Sequence, residues 1–122
     1  MVVIVIDDDN DSREMMAAVL ELYGAHVVTA PGAKVALHLL RQQRADAIVT
    51  DLMMPGEDGY WLLHQLRHFE SLAVPIIAVS GVVTSATDVL HAGFDAFLRK
   101  PIDPDDVVRL VAETRPNPRE LA

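Results

Sequence analysis

Val2-Val3-Ile4-Val5-Ile6-Asp7-Asp8-Asp9 opens the chain with five β-branched residues and closes on three consecutive carboxylates. A continuous apolar run of this length reads as a strand buried on both faces, the pattern of a parallel sheet covered by helices. The design recurs along the chain. Ala47-Ile48-Val49-Thr50 runs into Asp51, Pro75-Ile76-Ile77-Ala78-Val79 into Ser80, and Ala96-Phe97-Leu98-Arg99 into Lys100-Pro101. In a parallel α/β sheet the carboxyl ends of all strands share one edge, where ligands bind. Four polar clusters therefore converge there: several carboxylates, one hydroxyl and one ammonium.

Helix-like segments alternate with the strands. The first is expected from Ser12 to Tyr23, with Asp11 as cap, Glu14 at capping-box spacing, Met15, Met16, Val19, Leu20 and Tyr23 at helical spacing, and Gly24 as the stop. Residues 26–29 form a short second strand. Val35, Ala36, Leu39 and Leu40 mark a helix over 32–43. After the third strand, Asp58 is placed to cap a helix carrying Trp61, Leu62, Leu63, Leu66 and Phe69. A weak helix over 84–91 ends at Gly93. The last begins with Asp103 as cap, Pro104 at the first helical position and two further carboxylates near the positive helix end, with Val107, Val108, Leu110 and Val111 toward the core. Five strand–helix pairs imply right-handed crossovers. The expected fold is α/β, a flavodoxin-like (βα)5 three-layer sandwich with a five-stranded parallel sheet of order 2-1-3-4-5. That order puts strands one and three side by side and makes Asp7, Asp8 and Asp51 neighbours. Residues 1–115 read as one domain and 116–122 as a C-terminal tail or linker.

The chain has 122 residues, 51% of them apolar, enough for one core and too apolar for disorder. Apolar runs are too short to span a membrane, and no signal peptide is apparent. Cysteine is absent, so disulfides and thiolate metal sites are excluded. The net charge of −8, with Lys34 and Lys100 as the sole lysines, argues against direct nucleic-acid binding. A cytoplasmic location is expected.

Two carboxylates about 4 Å apart repel by about 4 kcal/mol at an effective dielectric near 20. Asp7, Asp8 and Asp51 together therefore call for a raised pKa or a bound cation. Hard oxygen donors favour Mg²⁺, with Mn²⁺ an alternative. Asp9 is assigned to solvent or capping. Asp51 could serve as a general base, a metal ligand or a nucleophile. As a nucleophile toward phosphorus it would form an acyl phosphate, a reaction that depends on alignment and charge neutralisation. Lys100 can then neutralise one phosphoryl oxygen and the Ser80 hydroxyl can donate to another. Pro101 either ends the fifth strand or carries a cis bond. His64 and His68 have i, i+4 spacing but no evident third ligand, and read as exposed helix residues with His26, His38 and His91.

The chain resembles the receiver domain of bacterial two-component response regulators over residues 2–114. The resemblance rests on Val5-Ile6-Asp7-Asp8-Asp9, on the stretch from Val49 through Asp51-Leu52-Met53-Met54-Pro55-Gly56-Glu57-Asp58-Gly59, on Ile77-Ala78-Val79-Ser80-Gly81, on Ala92-Gly93-Phe94-Asp95-Ala96-Phe97 and on Leu98-Arg99-Lys100-Pro101. It implies that Asp51 is the phosphoacceptor, supplied by a histidine kinase or histidine phosphotransfer protein. Mg²⁺ would be held by Asp8, Asp51 and the Met53 main-chain carbonyl, with Asp7 acting through water. Ser80, Lys100 and the Gly81 main-chain amide would bind the phosphoryl group. Ser80 and Phe97 would form the switch, signalling to a downstream target protein or domain from a monomer or weak dimer.

Two departures stand out. The span from Ser80 to Gly93 is shorter than usual in the family, and its Val82-Val83-Thr84 segment is a poor helix former, which does not favour a standard dimer through the fourth and fifth helices. Met53 and Val82 are apolar where polar side chains can position a hydrolytic water, so slow self-dephosphorylation is expected. Two other readings remain. A haloacid-dehalogenase-like phosphatase also uses an Asp nucleophile but needs an acid two residues later, where Met53 stands. A pseudo-receiver would bind partners without phosphorylation.

Overall fold

The computed structural model describes residues 1–82 and 84–114. Its elements are β1 (Val2–Ile6), α1 (Asn10–Leu22), β2 (His26–Ala30), α2 (Ala33–Gln42), β3 (Ala47–Asp51), α3 (Gly59–His64, continuing as a π turn over Gln65–Phe69), β4 (Ile76–Ser80), α4 (Ala86–Ala92), β5 (Ala96–Arg99) and α5 (Pro104–Thr114). The sheet has five strands in order β2-β1-β3-β4-β5, all paired in parallel. The fold is therefore the flavodoxin-like sandwich expected, with the boundary at residue 115 and the tail outside the described residues. Among the described residues no helix is long and apolar enough to cross a membrane.

Strand alternation divides the core in two. Ile4, Ile6, Ile48, Ile76 and Ala78 face α2, α3 and α4, where Leu37, Leu62, Leu66, Val89 and Phe94 meet them. Val3, Val5, Val49, Ile77 and Val79 face Leu20 of α1 and Val107 and Val111 of α5. Both faces of β1, β3 and β4 are thus covered, which is why their sequences show no polar alternation. Burying a side chain of this size contributes about 1.5–3 kcal/mol, so the central strands anchor the loops at their ends.

Several local expectations change. α1 starts at Asn10, because Asp9 rather than Asp11 is the cap: it holds an extended backbone and its carboxylate accepts from the Ser12 amide at 2.9 Å. Met15 and Tyr23 point outward, 67% and 61% exposed, while Ala17 and Leu20 fill the buried stripe. In α2, Val35 is exposed and Ala33, Ala36 and Leu37 are buried. Phe69 is 68% exposed, because the π turn inserts a residue and rotates the end of the helix out of phase with the apolar stripe. The same turn aims Arg67 at the Leu72 and Val74 carbonyls, 2.6 and 3.0 Å away, and at Asp95 of the segment before β5. α4 begins only at Ala86, capped by Ser85, so the fourth helix is short. In α5, Val107 and Val111 are fully buried, and Val108 and Leu110 pack at the edge of the same cluster.

Candidate functional site

Each cluster noted at a strand end lies at the carboxyl edge of the sheet. Backbone pairing sets Ile6 beside Thr50 and Asp51 beside Val79, so the chain ends of β1, β3 and β4 are level. Asp7 and Asp51 are buried there and Asp8 is exposed, and carboxylate oxygens from all three lie within 4.8 Å of one another. The Lys100 Nζ enters between two of them, 3.2 Å from Asp7 Oδ2 and 3.1 Å from Asp51 Oδ2. The Lys100–Pro101 peptide is cis.

The support around these groups is dense. Asp7 Oδ1 accepts from the Asp9 amide at 2.9 Å, and the Asp7 carbonyl accepts from Arg13 at 2.8 Å. The Thr50 hydroxyl donates to the Asp51 carbonyl, and the Leu52 amide to the Val79 carbonyl. Gly59 donates to the Leu52 carbonyl at 2.9 Å, and a β-carbon at Gly59 would stand 2.6 Å from the Asp51 carbonyl oxygen. The loop after β3 closes on itself only because that residue is glycine. Asp58 caps α3 by accepting from the Trp61 amide, as expected.

Burial, reinforced by repulsion from Asp7, pushes the Asp51 carboxyl above the ordinary aspartate range, against the opposing pull of the Lys100 ammonium and the Met53 amide. Burial draws Lys100 down, but Asp51 and Asp7 together outweigh it and hold the ammonium above its usual value. Asp9 is held low by its Ser12 hydrogen bonds, which fits capping rather than cation binding. Three carboxylate donors and one ammonium leave excess negative charge. The donor set is all oxygen, which fits a hard divalent cation such as Mg²⁺.

Ser80 is buried at the end of β4, its hydroxyl oxygen accepting from the Val82 amide at 3.1 Å. Gly81 lies beside the Lys100 side chain, whose Cδ would be 3.7 Å from an added β-carbon. Phe97 pairs with Ala78, two residues before Ser80, so Phe97 and Ser80 share the sheet face toward α4. Phe97 is half-buried against that core. Met53 and Val82 flank the site, 54% and 50% exposed.

Sequence reading missed three contributors. The Arg13 bond to Asp7 and the close approach at Gly59 have no signal beyond residue type and position. Arg99, read only as the end of β5, lies 5.5 Å from the Phe97 ring centre and donates to the Thr84 carbonyl at 2.6 Å. A cavity of about 170 Å³ also opens beside Asp7, Asp51 and Lys100, walled by Met15, Met16 and Ile102. All five histidines are exposed. The His64 and His68 rings are 4.4 Å apart, and among the described residues no third ligand joins them.

An uncharacterized 14.6 kDa protein in the sodA1 3' region of Leptolyngbya boryana is 36% identical over 93% of this chain and 88% of its own length. Response regulator Rre1 of Synechocystis is 35% identical over 88% of this chain, which spans only 48% of that relative. Among solved structures, the receiver domain of the Francisella response regulator 1452 superposes with a TM-score of 0.87 at 31% identity, covering 93% of this chain and 94% of that one. The family model of the response regulator receiver domain matches residues 3–112, so on sequence, topology and the composition of its strand-end site, the chain belongs to the response regulator receiver domain family.

Proposed function

We propose that the domain accepts a phosphoryl group on Asp51, from a histidine kinase or histidine phosphotransfer protein, and relays that event to a downstream partner. The carrying observation is the triad of carboxylates within 4.8 Å with Lys100 bridging Asp7 and Asp51. In the transfer, an Asp51 carboxylate oxygen forms the new P–O bond while the bond from phosphorus to the donor breaks, its electron pair leaving with the donor. The product is an acyl phosphate. Lys100 turns from Asp7 to the incoming phosphoryl oxygens, supplying positive charge where negative charge gathers. The Gly81 amide donates to a second oxygen. The Ser80 hydroxyl donates its proton to a third.

Mg²⁺ (or Mn²⁺) would be held by Asp8, Asp51 and the Met53 carbonyl, with Asp7 through water. When bound, it neutralises the attacking carboxylate and phosphoryl oxygens and aligns them. Movement of Ser80 toward the phosphoryl group opens space on the face it shares with Phe97, and inward rotation of Phe97 transmits the event toward α4, β5 and α5. This needs two packings of similar energy, which the phosphoryl group biases. Exposed apolar Met53 and Val82 leave a hydrolytic water without polar holders, so the phosphoryl group is retained for minutes or longer.

The test is incubation with Mg²⁺ and acetyl phosphate, read by intact mass. A single adduct that needs Mg²⁺ and disappears in Asp51→Asn is expected. Multiple turnover of phosphate esters would instead make the protein a phosphatase, and absence of both adduct and Mg²⁺ binding would make it a binding module.

A further inference from the structure

Asp8 differs from its two neighbours in the acidic cluster. Asp7 is held by the Asp9 amide and Lys100, and Asp51 by Lys100. Asp8 is exposed, and among the described residues its carboxylate has no hydrogen-bond or ion-pair partner. What positions it is therefore the backbone, which fixes the Cα–Cβ bond from which its rotamers reach the site, and in particular the plane of the Asp7–Asp8 peptide. That peptide's carbonyl oxygen accepts from Arg13 Nη1 at 2.8 Å. Arg13 is half-buried in the first turn of α1, and its other arm donates to the Asn10 side chain. A guanidinium held by both arms restrains an acceptor more tightly than a single flexible donor can.

We infer that Arg13 is a positioning residue for the divalent-cation site: it pins the Asp7–Asp8 peptide and so aims the Asp8 carboxylate. The inference rests on the proposed cation-dependent function and adds a part to it. It is a case of outer-shell support, in which a residue that never touches the metal fixes one that does. The sign of the effect separates this role from plain electrostatics. Removing a positive charge from beside an acidic site should strengthen cation binding if charge alone matters. Removing a positioning group should weaken it.

The experiment is a Mg²⁺ titration of the phosphate-free protein by calorimetry, with Trp61 fluorescence in parallel. Arg13→Ala is expected to raise the Mg²⁺ Kd about tenfold, the low end of what outer-shell losses cost. Arg13→Lys, which keeps the charge and one donor, should recover part of that loss, and Asn10→Ala should show a smaller weakening. Without Mg²⁺, the Asp8 amide resonance of Arg13→Ala should broaden relative to wild type while resonances of β3 and β4 hold. An Arg13→Ala Kd equal to or tighter than wild type overturns the assignment. Wild type that fails to bind Mg²⁺ defeats the functional reading and the cation role with it, and an unchanged Asp8 resonance then defeats the backbone role as well.

Discussion

After β1 the chain turns through Asp7, Asp8 and Asp9 with most of its polar groups engaged: the Asp7 amide on Ala30, its carbonyl on Arg13, its carboxylate on Asp9 and Lys100, and the Asp9 carboxylate on Ser12. The loop after β3 is tied in the same way, through Leu52, Gly59 and Asp58. After β4 the ties among the described residues are fewer. The Val82 amide rests on Ser80, the Thr84 carbonyl on Arg99, and Ser85 caps a helix of seven residues. One side of the edge is built to hold carboxylates still, the other to move at small cost. A phosphoryl acceptor needs the first property, because misplacement by about 1 Å can cost 10²-fold in rate. A switch needs the second, because segments that rearrange come from the weakly stabilised part of a fold.

The sharpest way to break this contrast is a matched pair of glycine substitutions. Gly59→Ala would put a methyl group 2.6 Å from the Asp51 carbonyl oxygen and 3.1 Å from Leu52 Cα, backbone atoms that can yield only if the end of β3 shifts. Overpacking of this kind costs about 1–3 kcal/mol, and the accompanying shift of Asp51 should slow phosphorylation by about 10²-fold. Gly81→Ala meets only the flexible Lys100 chain at 3.7 Å, so its stability should stay within about 0.5 kcal/mol of wild type. Urea unfolding and acetyl phosphate kinetics on both variants decide the matter. Equal losses would show that the two loops are equally constrained.

Lys100 sits between the two sides, its amide bonded to the Ser80 carbonyl and its ammonium to Asp7 and Asp51. Lys100→Met keeps much of the stem and removes the charge. Phosphorylation should slow by about 10²-fold, the usual cost of losing a group that stabilises developing negative charge. Without divalent cation the variant should also unfold earlier in urea at neutral pH, because two buried carboxylates then face each other uncompensated. An unchanged rate would remove Lys100 from the chemistry.

The rigid side was the more legible in sequence, for a physical reason. Buried strands announce themselves through unbroken Val and Ile, and a parallel sheet brings their carboxyl ends together, so Asp7, Asp8, Asp51 and Lys100 could be joined from spacing alone. The Asp9 cap was displaced to Asp11 because three adjacent carboxylates offer several acceptable starts for one helix. Phe69 was misplaced because a π turn leaves no mark in apolar spacing. The contacts of Arg13 and Arg99 and the close approach at Gly59 depend on where a side chain or a neighbouring backbone ends up in three dimensions, and no periodicity encodes that. The weak helix over 84–91 was legible only as weakness, in the β-branched residues before it, and the structure turns this into a late start at Ala86.

Acidity sharpens the contrast from the rigid side. Burial and Asp7 raise the Asp51 pKa in the folded protein. That rise belongs to the cation-free protein, because a divalent ion beside the carboxylate would favour its ionised form. A raised folded pKa contributes stability below the unfolded pKa that is lost as pH rises through the folded one. Asp51→Asn in EDTA should therefore gain on wild type between pH 4 and pH 7, read by urea unfolding at both values. A gap that narrows over that range would mean Lys100 has fully compensated the burial of Asp51.

The smallest effect belongs to the looser side. Arg99 lies over Phe97 and bonds the Thr84 carbonyl just ahead of the Ser85 cap, so it restrains the start of α4. An exposed cation–aromatic contact contributes about 0.5–1 kcal/mol. Arg99→Ala should therefore speed amide exchange at the start of α4 by about 2- to 5-fold and leave exchange in β1 and β3 unchanged. On the switch proposed for Ser80 and Phe97, loss of this restraint should also let Phe97 turn inward more readily and strengthen beryllofluoride binding by a similar factor, since a ligand and a conformational bias act on one equilibrium. Faster exchange that spread into β1 and β3 would mean the two sides open as one unit. Faster exchange confined to α4 with unchanged beryllofluoride affinity would mean that the start of α4 is loose but uncoupled from the acceptor.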